Sequence, residues 1–88
     1  METPWKVVGF EKFVSEKGDA CVRLYVARPL VVPEGNTGDG LETQRLFYKP
    51  EYIQYEPVIG HMIIATAGRY PGSIGQIFVV GMDTGNAQ

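Results

Sequence analysis

A small antiparallel β-barrel is the fold this chain predicts, and three observations predict it. Along most segments bounded by glycine and proline, apolar residues alternate with polar ones, the period of a half-buried strand. Glycine stands inside and between those segments, 11 times in 88 residues, where a strongly bent sheet needs bulges and turns. No segment carries a helical period long enough to enter a DNA major groove, and no internal repeat is present. The expectation is one all-β domain over residues 1–82, a five-stranded antiparallel barrel of the OB type, with a disordered tail over 83–88. An SH3-like barrel is the competing topology.

The elements follow in order. Lys6 to Val14 reads as a strand with Gly9 marking a bulge or bend inside it. Ser15-Glu16-Lys17-Gly18-Asp19 is a polar connection with glycine for positive φ, so Ala20 to Arg28 returns as the second strand of a hairpin. In that strand Val22, Leu24 and Val26 share the core face, and Cys21, Arg23, Tyr25 and Ala27 share the other. Pro29 to Leu41, rich in proline, glycine, asparagine and aspartate, predicts a mobile surface loop. Thr43 to Lys49 is the third strand, with Leu46 and Tyr48 opposite Arg45, Phe47 and Lys49, and Pro50 ends its ladder. Glu51 to Glu56 is expected to form one helical or irregular turn. Ile59 to Ala67 and Gly75 to Val80 are two apolar strands joined by the turn Gly68-Arg69-Tyr70-Pro71-Gly72-Ser73.

Composition bounds the function. A chain of 88 residues buries only about 60% of its unfolded surface, so its core is marginal and a partner subunit would help it. Apolar content of 44% with 20% charged residues indicates a folded chain. Cys21 has no disulfide partner, and with His61 as the one histidine no structural zinc set can be assembled. No metal or other cofactor is expected, and a reducing cytoplasm is the expected location. No apolar run approaches the roughly 20 residues of a membrane span, and the start lacks a secretory apolar region. The net charge of −2 is not that of a strongly basic nucleic-acid binder, so the placement of the eight cations decides what the chain can hold.

Those cations interleave with aromatics. Arg23 and Tyr25 must share one face of their strand, as must Arg45, Phe47 and Lys49 on theirs. Such a platform can pair with phosphates and stack on unpaired bases at once. The plain alternative is a cross-strand pair of Tyr25 and Phe47 covering the barrel, with Arg23 and Lys49 solvated. Arg69 and Tyr70 can contact a ligand from their turn, although Tyr70-Pro71-Gly72 is equally a turn signal. Cys21 reads as a buried inert cysteine and His61 as a strand histidine with a satisfied hydrogen bond, so no catalytic set emerges and no enzyme is expected. The glycines of 68–75 lack the lysine and following helix of a P-loop. Trp5 is either a plug for an open barrel end or an exposed interface residue.

The order of strand, polar wing, strand, Pro/Gly loop and basic-aromatic strand, followed by Pro57-Val58-Ile59-Gly60 leading into a long hairpin that returns through Gln76-Ile77-Phe78-Val79, resembles the filamentous-phage single-stranded DNA-binding proteins. The resemblance spans Lys6 to Val80. It implies an OB-like barrel, a symmetric homodimer and cooperative coating of single-stranded DNA with little sequence preference. It also implies that the wing with Lys12 and Lys17, the strand with Arg23 and Tyr25, and the strand with Arg45, Phe47 and Lys49 line the DNA groove. The wing departs from the family's basic pattern, since Glu11, Glu16 and Asp19 offset its lysines, and Cys21 and Ile74 stand where the family carries aromatics. The expected partner is therefore single-stranded DNA, with RNA as the alternative polymer, and no membrane or small-molecule substrate. Apolar residues on both faces of the final hairpin predict the homodimer independently. The rival reading is a protein-interaction module that takes a partner's strand on an exposed edge.

Overall fold

Alternation becomes five strands: β1 (Trp5–Val14), β2 (Ala20–Pro29), β3 (Leu41–Tyr48), β4 (His61–Ala67) and β5 (Ile74–Met82). They are seen in a computed structural model, which describes residues 3–83. All five join one antiparallel sheet in the order β3-β2-β1-β4-β5, and no helix occurs among the described residues. The two edges of the sheet are joined by one bridge, from β3 to the residue just before β5. Phe47 and Ser73 form an isolated parallel bridge, and the Phe47 N–H donates to the Gly72 carbonyl at 2.9 Å. Beyond that bridge β3 and β5 share no ladder, so the sheet curls without closing into a barrel.

Local chemistry explains each connection. The β1–β2 turn closes through Ser15, whose N–H donates to the Asp19 carbonyl at 2.8 Å and whose Oγ accepts from the Asp19 N–H at 3.2 Å. The bulge expected at Gly9 is present as a register shift between Val7 and Gly9 in the β1–β2 ladder. The surface loop expected over Pro29 to Leu41 is confined to residues 30–40, because Pro29 and Leu41 pair as the last rung of the β2–β3 ladder and the Leu30 N–H on the Gly40 carbonyl pins the base. After Pro50 the N–H groups of Tyr52 and Ile53 both donate to the Lys49 carbonyl, one turn followed by irregular chain. Gly60 sits at φ 101°, its N–H on the Val7 carbonyl and its own carbonyl accepting from Asp83. Asp83 is thereby anchored, while the rest of the expected tail, 84–88, lies outside the described residues.

The core gathers Trp5 and Val7 of β1, Val22, Leu24 and Val26 of β2, Leu46 and Tyr48 of β3, Ile63 of β4 and Ile74 of β5. The inward faces expected for β2 and β3 are the ones observed. Trp5 is buried rather than exposed, and the Arg28 guanidinium covers its ring at 4.0 Å from the centroid. The last strand is different: Phe78, Val79 and Val80 are all about half exposed although they are consecutive and so point to both faces of β5. The radius of gyration, 14.3 Å, exceeds the about 12 Å of a compact chain of this length. The hairpins therefore project beyond the core.

Candidate nucleic-acid interface

Register decides which of the predicted residues meet. On the face of β2 opposite Val22, Leu24 and Val26, Arg23 lies across from Phe47 of β3 and Tyr25 across from Arg45. On the other side of β2, Arg23 lies across from Glu11 of β1, and Tyr25 from Gly9. Two rows result: Glu11, Arg23, Phe47, and Gly9, Tyr25, Arg45. Each aromatic thus faces a cation, and Tyr25 and Phe47 form no ring pair with each other among the described residues. Gly9 leaves room for the Tyr25 ring, since a Cβ there would stand 3.7 Å from the tyrosine's Cβ and Cδ2. The bulge glycine and the stacking candidate are therefore packed against each other.

The cations of this face are not equally free. Arg23 Nη1 donates to Glu11 Oε1 at 2.9 Å, and the same oxygen accepts from the Tyr25 hydroxyl at 3.2 Å. The Arg23 guanidinium also covers the Phe13 ring, 4.6 Å from its centroid. Lys49 Nζ donates to Asp19 Oδ2 at 3.1 Å. Both cations are held above their ordinary pKa, Arg23 by Tyr25 first and Glu11 after it, Lys49 chiefly by the hydrogen bond to Asp19. Arg45, Arg69 and Lys17 form no ion pair among the described residues.

A groove of about 500 Å³ continues the platform between β3 and the β4–β5 turn, lined among others by Phe47, Lys49, Tyr52, Arg69 and Tyr70. Ser73 builds that turn: its Oγ accepts from the Tyr70 N–H at 2.9 Å and donates to the Tyr70 carbonyl at 2.6 Å. Gly72, at φ 82°, passes over the Phe47 ring, with room for a Cβ only at 3.6 Å from its Cε1. Two residues singled out at a turn are thereby brought beside two from β3. Tyr52, 74% exposed on the groove wall, was not expected there. The signal was an aromatic two residues after the Pro50 break, where a turn leaves side chains in solvent.

Lys12 and Lys17 stand apart. Lys12 lies opposite Val22, on the inward-facing side of the sheet, and its Nζ pairs with Glu56 at 3.0 Å. Lys17 is exposed at the tip of the β1–β2 turn. The cysteine and histidine have local roles: buried Cys21 directs its thiol to the Asp19 carbonyl at 3.6 Å, and His61 Nδ1 shares a 2.7 Å hydrogen bond with the Tyr55 hydroxyl. No group of three or more side chains suited to a metal gathers among the described residues. No helix among them is long and apolar enough to cross a membrane. Comparison with known protein families, curated protein sequences and solved structures finds no match for this chain.

Proposed function

We propose that this protein binds single-stranded DNA without sequence preference, phosphates pairing with Arg23, Arg45, Lys49 and Arg69 while bases stack on Tyr25, Phe47, Tyr52 and Tyr70. One observation carries the reading: the β2–β3 ladder sets each aromatic across from a cation and leads into a groove with the same two chemistries. Stacking contributes about 1 to 3 kcal/mol per base, so a few rings with three or four cations hold a strand despite a negative total charge. Lys17, exposed at the turn tip, extends the cationic track; Lys12 contributes through the field alone. The sheet belongs to a partly open five-stranded barrel of the OB type, a reading supported by the strand order and by the parallel contact of its edges. The likeness to the filamentous-phage single-strand binders points the same way, as does a homodimer formed over the exposed apolar residues of β5.

The test is fluorescence anisotropy of a labelled oligothymidylate at low and moderate salt, with duplex DNA and a single-stranded RNA as competitors. Salt-sensitive binding that duplex fails to displace is the expected result; flat anisotropy at high protein concentration removes the proposal. A second reading has its own observation. Apart from the Phe47–Ser73 bridge, the outer edges of β3 and β5 carry no strand partner among the described residues, so a peptide can add to either. Such binding depends little on salt, and the same titration separates the two.

A further inference from the structure

Two of the platform's cations already hold an anion of the protein's own. Glu11 Oε1 accepts from both Arg23 Nη1, at 2.9 Å, and the Tyr25 hydroxyl, at 3.2 Å. A guanidinium N–H and a phenol O–H converging on one charged oxygen is the arrangement that a phosphate oxygen would meet at the same place. Asp19 holds Lys49 in the same way at 3.1 Å. Neither pair is sealed from water: the side chains of Arg23 and Glu11 are 36% and 50% exposed, those of Lys49 and Asp19 38% and 39%. Exposed pairs of this kind are weak, so a polyanion can displace the carboxylates. Arg45, opposite Tyr25, carries no such partner among the described residues.

We propose that Glu11 and Asp19 are built-in counterions of the platform, which occupy Arg23 and Lys49 until the phosphates of a bound strand displace them. The inference rests on the single-strand reading above. Its consequence is an affinity and a salt sensitivity both lower than the cation count implies. A displaced carboxylate stays beside the incoming phosphate, repels it and retains a small cation, so these two contacts release little net salt. Arg45, Arg69 and Lys17 then supply most of the salt dependence, at about 0.7 in log–log slope for each phosphate neutralised on a single strand. Bound strands would consequently exchange readily, and the acidic balance of the chain becomes part of how the site is tuned.

The test compares Glu11→Gln, Asp19→Asn and the double variant with the natural chain, by anisotropy of labelled oligothymidylate across a salt series. Glutamine keeps an oxygen for the Tyr25 hydroxyl while removing the charge. Glu42→Gln is the control: it removes the same charge from a pair with Arg28, whose guanidinium lies over Trp5 away from the platform. Each single variant is expected to bind up to about fivefold more tightly at low salt, the upper end for an exposed pair, with a slope steeper by about 0.7, and the double variant with a slope steeper by about twice that. Circular dichroism checks that each variant is folded; Asp19→Asn and Glu11→Gln test separate pairs, so loss of one fold leaves the other test standing. Affinities and slopes equal to those of the Glu42→Gln control overturn the proposal. Weaker binding by Glu11→Gln also overturns it, since Glu11 would then serve to position Arg23. Absence of binding by every protein, the natural chain included, removes the single-strand reading itself and this inference with it.

Discussion

Tyr48 lies with its ring in the core and its hydroxyl donating to the Tyr55 carbonyl at 2.6 Å, and burial pushes its pKa far above that of a free tyrosine. Tyr55 is raised as well, by burial, against the opposing effect of the Val58 backbone on its phenol. A raised tyrosine pKa means that the unfolded chain gives up the proton first. Stability is therefore intact below about pH 10, the ordinary tyrosine value, and falls as pH rises beyond it. Urea unfolding between pH 7 and 11 is expected to follow that course. Tyr48→Phe is expected to lose about 1 kcal/mol at pH 7 and to show a shallower alkaline fall; an unchanged alkaline slope would point to other groups. On the platform, Arg45→Ala is expected to weaken oligothymidylate binding and flatten its salt slope by about 0.7. Phe47→Ala is expected to weaken it by about 1 to 3 kcal/mol with the slope unchanged. Titration of both variants in a salt series separates phosphate pairing from stacking.

Among the elements, the connections carry as much specificity as the strands. Gly60 joins three segments, because its N–H meets β1 and its carbonyl meets Asp83 just beyond β5. A Cβ there would stand 2.9 Å from the Asp83 carbonyl oxygen, in a backbone at φ 101°. Gly35 has a similar φ, 90°, with nothing within 4 Å of a Cβ. Thermal unfolding is expected to show Gly60→Ala destabilised by about 1 to 3 kcal/mol and clearly more than Gly35→Ala. Equal losses would assign the whole cost to φ and none to the crowding of β5's end. The β4–β5 turn is organised comparably, with Ser73 bonding Tyr70 twice and so fixing how Arg69 and Tyr70 are offered to the groove.

At the scale of the whole molecule, the shortage of core is visible in β5. Phe78 and Val79 point to opposite faces, Val80 is the extra residue of a bulge between the Ile63–Val79 and Met62–Gly81 pairs, all three are about half exposed, and Met82 is 53% exposed. An apolar surface of that kind on a small sheet is suited to a second copy of the chain. Size-exclusion chromatography with light scattering is expected to give twice the chain mass, and Val80→Lys to give the monomer. A monomeric natural chain at every concentration would discard the dimer. The surface proposed for dimerisation, β5, differs from the one proposed for strand binding, the β2–β3 ladder, so Val80→Lys is expected to retain measurable binding to a short oligothymidylate.

Period-two alternation determined the five strands, the inward faces of β2 and β3 and the bulge at Gly9, because these depend on neighbours a few residues apart. The same reasoning named Arg23, Tyr25, Arg45 and Phe47 as residues sharing faces, and those placements hold. Their cross-strand partners were beyond it. The β1–β2 ladder starts with Lys6 opposite Ala27, and one residue gained at the bulge sets Glu11 opposite Arg23 and Lys12 opposite Val22. Without that shift Glu11 would face Val22 and Lys12 would face Cys21, since a slip of one residue exchanges the two faces of a strand. Alternation alone therefore separated Glu11 from Lys12, but only the register joined Glu11 to the platform and turned Lys12 inward toward Glu56. The Lys49–Asp19 pair likewise comes from register, that of β2 on β3, whereas the meeting of Tyr52 with Arg69 and Tyr70 joins segments that only the curl of the sheet brings together.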